Sequence, residues 1–545
     1  MTKRKRSSSN VRSSTRTGAN AMSNHVCPRC DCVPWLSISH VSDNTPLTDR
    51  FIVSVEESHA ELRASSCPVC QLFALLKPSA LDHLKCSLRA VPAYWFFTGR
   101  TALKHPVRND TTVLFIDSEN GKRKPMRRRH MGHVIAIEPL LDSSVSLKPR
   151  LIRNEINFEV FDLIKEWMTY CNQNHLDICK SDKLTTSQDS QDSQDFKVIR
   201  CCDGEIITAP AGCSYAALSY VWGDIEYPDP NDHKKLPQVV IDSIKVASEL
   251  GCHYLWVDRH CINQNDPDKK KQIQRMDEIY SKADFTIIDA AGTDCTYGLA
   301  GVTPSRRTDQ PQGYAQVNGV NLIYLGTPPA DKIRASRWAS RGWTYQEGVI
   351  SHKRIFFTNE QVIFQCNTMI CQESFSLHTN ALHSEIHSNE RKKPTLPDTE
   401  PLLPIDNDIG SHLMEFSKRD LKYDKDSLNA FLGILNVYRK NHGCIHLLGN
   451  PLNARNGNMI NAWYHPKPGT RKFDFPSWSW TGWKGAIKMT SYKNRDPTLR
   501  LVTTDGDSIP LDEYIDKSNA NYLRAVKPVI EMRGRMTRLS LSNGV

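Results

Sequence analysis

No apolar stretch in this 545-residue chain approaches the roughly 18 residues that a membrane-crossing helix requires, since runs such as Val91 to Phe97 end after about seven. A membrane span is therefore not expected. No apolar segment follows the opening Lys3-Arg4-Lys5-Arg6, so no secretory signal is expected either. The phosphate-cradling Gly-x-x-x-x-Gly-Lys-Ser/Thr loop is missing, as are Gly-x-Gly-x-x-Gly and His-Glu-x-x-His, which removes the motif evidence for an NTP-driven switch. Aromatic residues are missing from the two basic runs, Lys3 to Arg6 and Lys122 to Arg129. Nucleic-acid binding usually interleaves stacking rings with its cations, so nucleic acid is not expected as a partner.

What is present describes a folded chain. Hydrophobic residues make up 39% and charged residues 24%, with eleven tryptophans, enough to build a sizeable core. The length exceeds what one core sustains, so two or three compact units are expected. The net charge of +10 owes much to the two basic runs, which read as solvated segments or as nuclear-import signals. The address is then cytoplasmic or nuclear. Seventeen cysteines, an odd number, suit a reducing compartment in which thiols are buried or metal-bound.

Composition divides the chain. Residues 1–24 form a basic tail too polar to offset ordering entropy and are expected to be disordered. Residues 25–183 form an N-terminal region with two CxxC pairs, a strand-like run at Val113 to Ile116 and a helical pattern at Phe158 to Met168. A repeated Ser-Gln-Asp linker occupies 184–195. The central unit, 196–366, alternates buried-strand runs with helical patterns at Leu236 to Leu250 and Lys270 to Ala283. The strand runs are Tyr215 to Trp222, Tyr254 to Val257, Phe285 to Ala290 and Arg354 to Phe357. This order implies parallel β/α units, whose ligands sit beyond the carboxyl ends of the strands. The C-terminal region, 367–545, reads as α+β; Trp478 and Trp480, two apart, are expected on one face of a strand.

Three strings carry chemistry. Tyr215 to Asp224 is an apolar strand ending in Trp222-Gly223-Asp224. Tyr254 to Asp266 is a strand that delivers Asp258 at its end. Arg341-Gly342-Trp343-Thr344-Tyr345-Gln346-Glu347 places an indole and a carboxylate four apart, on one face of a helix. Together, in this order and with the helix–strand block Met276 to Ala291, they resemble the heterokaryon incompatibility (HET) domain of filamentous fungi. Cys67-Pro68-Val69-Cys70, Tyr423 to Phe431 and the Pro-Ser-Trp-Ser-Trp string also look like that family. The chain departs from it at Arg259-His260.

The resemblance implies a role in fungal nonself recognition that ends in cell death, with other incompatibility proteins or self-association as partners. It also implies a remotely TIR-like α/β core with a mainly parallel sheet flanked by helices. Some TIR domains cleave NAD with a glutamate four residues after a tryptophan, which makes NAD or a related nucleotide a candidate substrate and Glu347 the candidate catalytic residue, with no cofactor required. A preorganised anion suits that chemistry, because cleavage of the N-glycosidic bond develops positive charge on the ribose. Trp222, Gly223, Asp224, Asp258, Arg341 and Trp343 are the candidate substrate-binding residues. Alternatively, Glu347 pairs with Arg341 or Arg354 and serves only as scaffold in a non-catalytic signalling module. Cys27, Cys30, Cys67 and Cys70 could ligate a structural zinc ion or remain buried thiols; with the basic runs, zinc would suit a nuclear regulator.

Overall fold

The computed structural model describes residues 25–39, 50–92, 111–118, 134–138, 147–181, 196–224, 236–263, 269–304, 306–307, 312–377, 403, 408–453, 461–491, 498–503, 506–510 and 526–533. The basic tail 1–24, the linker 184–195 and the run Lys122 to Arg129 lie outside the described residues. Among the described residues no helix is long and apolar enough to cross a membrane.

Two sheets organise the chain. The first joins β1 (Arg50–Val55), β2 (Cys86–Pro92), β3 (Thr112–Ser118) and β4 (Ile135–Ile137) in antiparallel sequence. A short β5 (Leu147–Pro149) lies outside it, paired with a strand at Phe375–Leu377. The second sheet begins with β6 (Lys197–Arg200), β7 (Ile206–Thr208), β8 (Ala216–Ser219), β9 (Tyr254–Val257) and β10 (Phe285–Asp289). The chain then returns to the first sheet, adding the hairpin of β11 (Tyr314–Val317) and β12 (Val320–Tyr324) with β12 antiparallel to β4, before completing the second with β13 (Lys353–Phe357), β14 (Val362–Cys366) and β15 (Ile370–Gln372).

The eight strands of the second sheet run in the order β15-β14-β13-β10-β8-β9-β6-β7. Only β13, β10, β8 and β9 are mutually parallel; every other neighbour is antiparallel. The sheet is therefore mixed, which corrects the expectation of a mainly parallel one. The reason is local: tight reversals at Thr358 to Gln361 and at Cys366 to Met369 return the chain as hairpins, and antiparallel neighbours need no crossover helix. The α/β character stands. Taken in chain order, the parallel four are arranged 2-1-3-4, so the strand order reverses between β8 and β10, the kind of switch point beyond which ligands bind in open α/β sheets.

Burial follows from this arrangement. β8, β10, β13 and β14 are buried along their whole length, as strands covered on both faces must be, and they read as near-continuous apolar runs. The helices Gln238–Glu249 and Phe158–Asn174 turn apolar stripes onto the same core. The helical pattern from Lys270 to Ala283 resolves into two helices, Lys269–Gln274 and Met276–Lys282, broken at Arg275. One hydrophobic core unites Ile156 to Cys179, the second sheet and the helix Asn429–His442. Another unites the N-terminal helices with the first sheet and with Ala315 to Leu322. The expected strand at Trp478 and Trp480 is instead a turn followed by a single 3₁₀ turn: Ser479 accepts a hydrogen bond from the Thr481 N–H and donates to the Leu448 carbonyl, and only Trp480 is buried.

One buried ion pair fastens these parts. Arg307 and Glu373, each nearly inaccessible, form a bidentate pair at 2.9 and 2.7 Å. Arg307 also donates to the Arg153 carbonyl, and Glu373 accepts the Val362 N–H. Removing one partner strands the other charge in the core. Arg307→Met should therefore cost about 3–5 kcal/mol in chemical denaturation, and the double variant Arg307→Met/Glu373→Leu should recover most of that loss.

Candidate functional site

Glu347 is carried by the helix Gly342–Ile350, which packs between Met276–Lys282 and Asn429–His442. Gly342 starts this helix against Leu421, and Gln346 fixes its middle by accepting the Gly433 N–H. The next turn delivers Glu347 to the carboxyl end of β8. There its Oε2 accepts a hydrogen bond from the Ser219 hydroxyl at 2.5 Å. Ser219 Oγ also accepts the Trp338 indole N–H at 2.8 Å, so one hydroxyl ties the carboxyl to the indole. The Tyr280 hydroxyl reaches both this carboxyl and the Leu218 carbonyl, and its single hydrogen serves one of them at a time.

Asp258 follows β9 on the same rim. Its carboxylate accepts the Trp222 indole N–H at 3.0 and 3.2 Å and the Arg259 backbone N–H at 2.7 Å. The Arg259 guanidinium covers the Trp222 ring at 5.3 Å. Arg341 donates to the Tyr220 carbonyl at 3.0 Å, and its charge acts on both Asp258 and Glu347. Gly223 sits at φ +80°, and a Cβ there would meet Asp294 Cβ at 2.4 Å, so only glycine permits this approach to the rim.

The electrostatics follow from burial. Desolvation pushes Glu347 up to about 7, and the Asp258 charge adds to it, against the hydrogen bond from Ser219, the Arg341 charge and the bond from Tyr280. Desolvation likewise pushes Asp258 up to about 6, against its N–H partners and Arg341. Both acids are thus raised by burial, Glu347 also by the company of Asp258, and their titration belongs to the pair. A third strand-end acid, Asp289 after β10, is fully buried and pushed up to about 7 by desolvation; its Oδ1 accepts the Gly292 N–H.

The expected site residues are thus divided. Glu347, Asp258, Trp222 and Arg341 converge. Asp224 does not join them: it is exposed and pairs with Lys422 at 3.5 Å. The Trp343 indole turns to Asp426 in the C-terminal region. Arg354 makes no pair with Glu347 and bonds instead to the carbonyls of Gly348 and Val349 and to Asn367. Ser219, Trp338 and Tyr280 join the converging residues without a signal of their own in the sequence, although Ser219 lies within Tyr215 to Asp224 and Tyr280 within Met276 to Ala291. A cavity of about 610 Å³ opens at the opposite rim, beside Cys252, Asp284 and Lys353.

The four N-terminal cysteines also converge. In each CxxC pair the first cysteine caps a helix, proline occupies its first turn and the second cysteine follows one turn in, so both sulfurs of a pair point the same way. Cys70 Sγ lies 3.5 Å from Cys27 Sγ and 3.7 Å from Cys30 Sγ, and all four sulfurs lie within 4.8 Å of one another. Tetrahedral thiolate ligation with Zn–S near 2.3 Å spaces sulfurs by about 3.8 Å, so this donor set could hold a metal ion.

The four mutually parallel strands thus carry an acidic cluster at their carboxyl-end rim. Residues 215–347 match the family described as heterokaryon incompatibility protein (HET), a match over about a quarter of the chain. The resemblance read from the motifs is borne out over that segment, which carries every residue of the rim cluster. Among curated proteins, the chain is similar to "Heterokaryon incompatibility protein 6, OR allele" of Neurospora crassa, 34% identical over 111 residues, covering 16% of this chain and 16% of that relative's length. No solved structure matches the chain.

The raised acids dictate a pH dependence. A carboxyl whose proton affinity is higher in the folded state stabilises the fold most at low pH, and that contribution is lost as pH rises from about 4.5 to about 7. The unfolding free energies at pH 5 and pH 8 should therefore differ by up to about 2.5 kcal/mol more in wild type than in Glu347→Gln, which cannot ionise. Equal pH slopes would remove the buried acid from the account.

Proposed function

We propose that the chain acts in fungal heterokaryon incompatibility as a cell-death effector and that its rim cluster cleaves NAD or a related nucleotide in a TIR-like manner. The observation that supports this is the juxtaposition of Glu347 and Asp258 at the strand-end rim, with Arg341 beside them and, among the described residues, no arginine paired with Glu347 within salt-bridge distance. In the reaction, the N-glycosidic bond between nicotinamide and ribose breaks, and its electron pair leaves with the now neutral nicotinamide. Water adds to the ribose carbon and releases a proton. Ionised Glu347 stabilises the positive charge that develops on the ribose, Asp258 accepts from ribose hydroxyls and Arg341 takes the pyrophosphate. Asp224 and Trp343, held by other partners, have no part in it.

A second reading is favoured by one fact: Glu347 is only 5% exposed, and its carboxylate is bonded to Ser219 and Tyr280. On that reading it is a strut between helix and strand in a non-catalytic module that self-associates or recruits other incompatibility proteins. Glu347→Gln separates the two, since glutamine keeps an acceptor for Ser219. The enzyme reading predicts nicotinamide release by the full chain, with kcat/KM rising as pH climbs through about 7 and falling at least about 100-fold in a folded Glu347→Gln variant. No release by wild type beside intact death activity in both proteins would establish the strut.

The N-terminal cysteine cluster is proposed to bind structural zinc, which would fasten the helix Pro68–Leu76 to the first segment of the chain. All seventeen cysteines are free, as a reducing cytoplasmic or nuclear compartment would keep them. Cys67→Ser should release about one zinc per chain and lower thermal stability. Zinc content unchanged in a folded Cys67→Ser protein would reject the site.

A further inference from the structure

A second set of soft donors lies far from both sites. Cys171 sits near the end of the helix Phe158–Asn174, and His175, four residues on, is that helix's C-cap. His175 also opens the short helix Leu176–Cys179, which brings Cys179 back after another four residues. Spacing of four keeps side chains on one side of a helical path. The last donor, Cys366, ends β14, which is 191 residues from His175 in the chain. All four are buried, and their donor atoms lie within 4.8 Å of one another. His175 Nδ1 is 3.4 Å from Cys366 Sγ.

The surroundings suit bound thiolates. Cys366 Sγ accepts the Thr368 backbone N–H and contacts its hydroxyl at 3.3 Å, and the Asn367 backbone N–H turns to Cys179. Such N–H contacts orient and soften metal-bound sulfur. Arg354 supplies the charge balance. It is 1% exposed, all three thiols act on it electrostatically, and among the described residues it has no carboxylate partner; its Nη1 has no hydrogen bond. A lone buried guanidinium is costly. Three thiolates around a divalent ion carry one net negative charge, which Arg354 would neutralise.

We propose that Cys171, His175, Cys179 and Cys366 form a closed Cys₃His zinc site that pins the helix Phe158–Asn174 to the end of β14 in the second sheet. With all four tetrahedral positions taken by protein, the ion is structural and has no position for substrate. Sulfur-rich tetrahedral donors favour zinc over magnesium, calcium or manganese. The site stands independently of the glutamate chemistry and of the N-terminal cysteines.

Metal analysis of the full chain, purified without chelators from zinc-supplied cells, tests it. The expected content is about two zinc per chain, falling to about one in Cys67→Ser and to about one in His175→Ala, with His175→Cys restoring two because thiolate can replace imidazole. The Cys67→Ser protein keeps the test decisive if His175→Ala fails to fold: about one retained zinc, giving a Cys₃His cobalt spectrum after exchange, supports the site. No zinc left in folded Cys67→Ser overturns it, as does a disulfide among Cys171, Cys179 and Cys366 found by mass spectrometry under non-reducing conditions.

Discussion

The hydrogen bond from Ser219 to Glu347 is the contact on which the arrangement of the rim depends. Ser219 is the last residue of β8, the inner strand between β9 and β10, so it is as fixed as the core itself. Through it, the helix Gly342–Ile350 is hung from the sheet and a carboxyl is held where water is scarce. Desolvation then raises that carboxyl's proton affinity, and Asp258 on the neighbouring strand end raises it further. Orientation and acidity thus come from the same placement, as they do where an acid is poised for chemistry. A strut would need only the first. The energy spent in raising two neighbouring acids works against stability, a conflict that scaffolding alone does not require.

The route of the chain between β10 and β13 is the second constraint. A connection that long is unusual for a simple crossover. Here it is explained by β11 and β12, which leave to complete the first sheet and come back. The N-terminal unit and the rim are thereby mechanically joined: the strand pair that closes the first sheet is tethered directly to the helices that deliver Trp338, Arg341 and Glu347. Arg307, within the same excursion, is anchored to Glu373 beside β14. A change in the N-terminal unit therefore has a covalent path to the site.

Much of the second sheet is legible in sequence because its strands are covered on both faces. Tyr254 to Val257 and Phe285 to Asp289 are short, apolar and bounded by polar residues, and the structure places strands there. The mixed strand order is not legible, since periodicity marks a strand without naming its partner; alternation in Tyr314 to Val317 shows a strand but not that it pairs with the first sheet. Asp258 is legible from the rule that strand ends carry ligand residues, and Glu347 from its spacing of four after Trp343 together with the family resemblance. Ser219, Trp338 and Tyr280 are not, because a hydroxyl or indole within an apolar run reads as core. The partners of Asp224 and Trp343 are not legible for a similar reason, since Lys422 and Asp426, which the structure sets beside them, are distant in sequence. The repeat of four from Cys171 to Cys179 is visible in the sequence, but Cys366 is joined to it only by folding.

The central claim, that the rim is a nucleotide site, is met most directly by calorimetric titration of the full-length Glu347→Gln protein with NAD, since this variant should bind without turnover. The account predicts saturable binding of about one NAD per chain, lost or weakened roughly tenfold or more when Arg341→Ala is added, because a pyrophosphate then loses its charged partner. No heat of binding from either the folded variant or wild type, at NAD concentrations into the millimolar range, would contradict it.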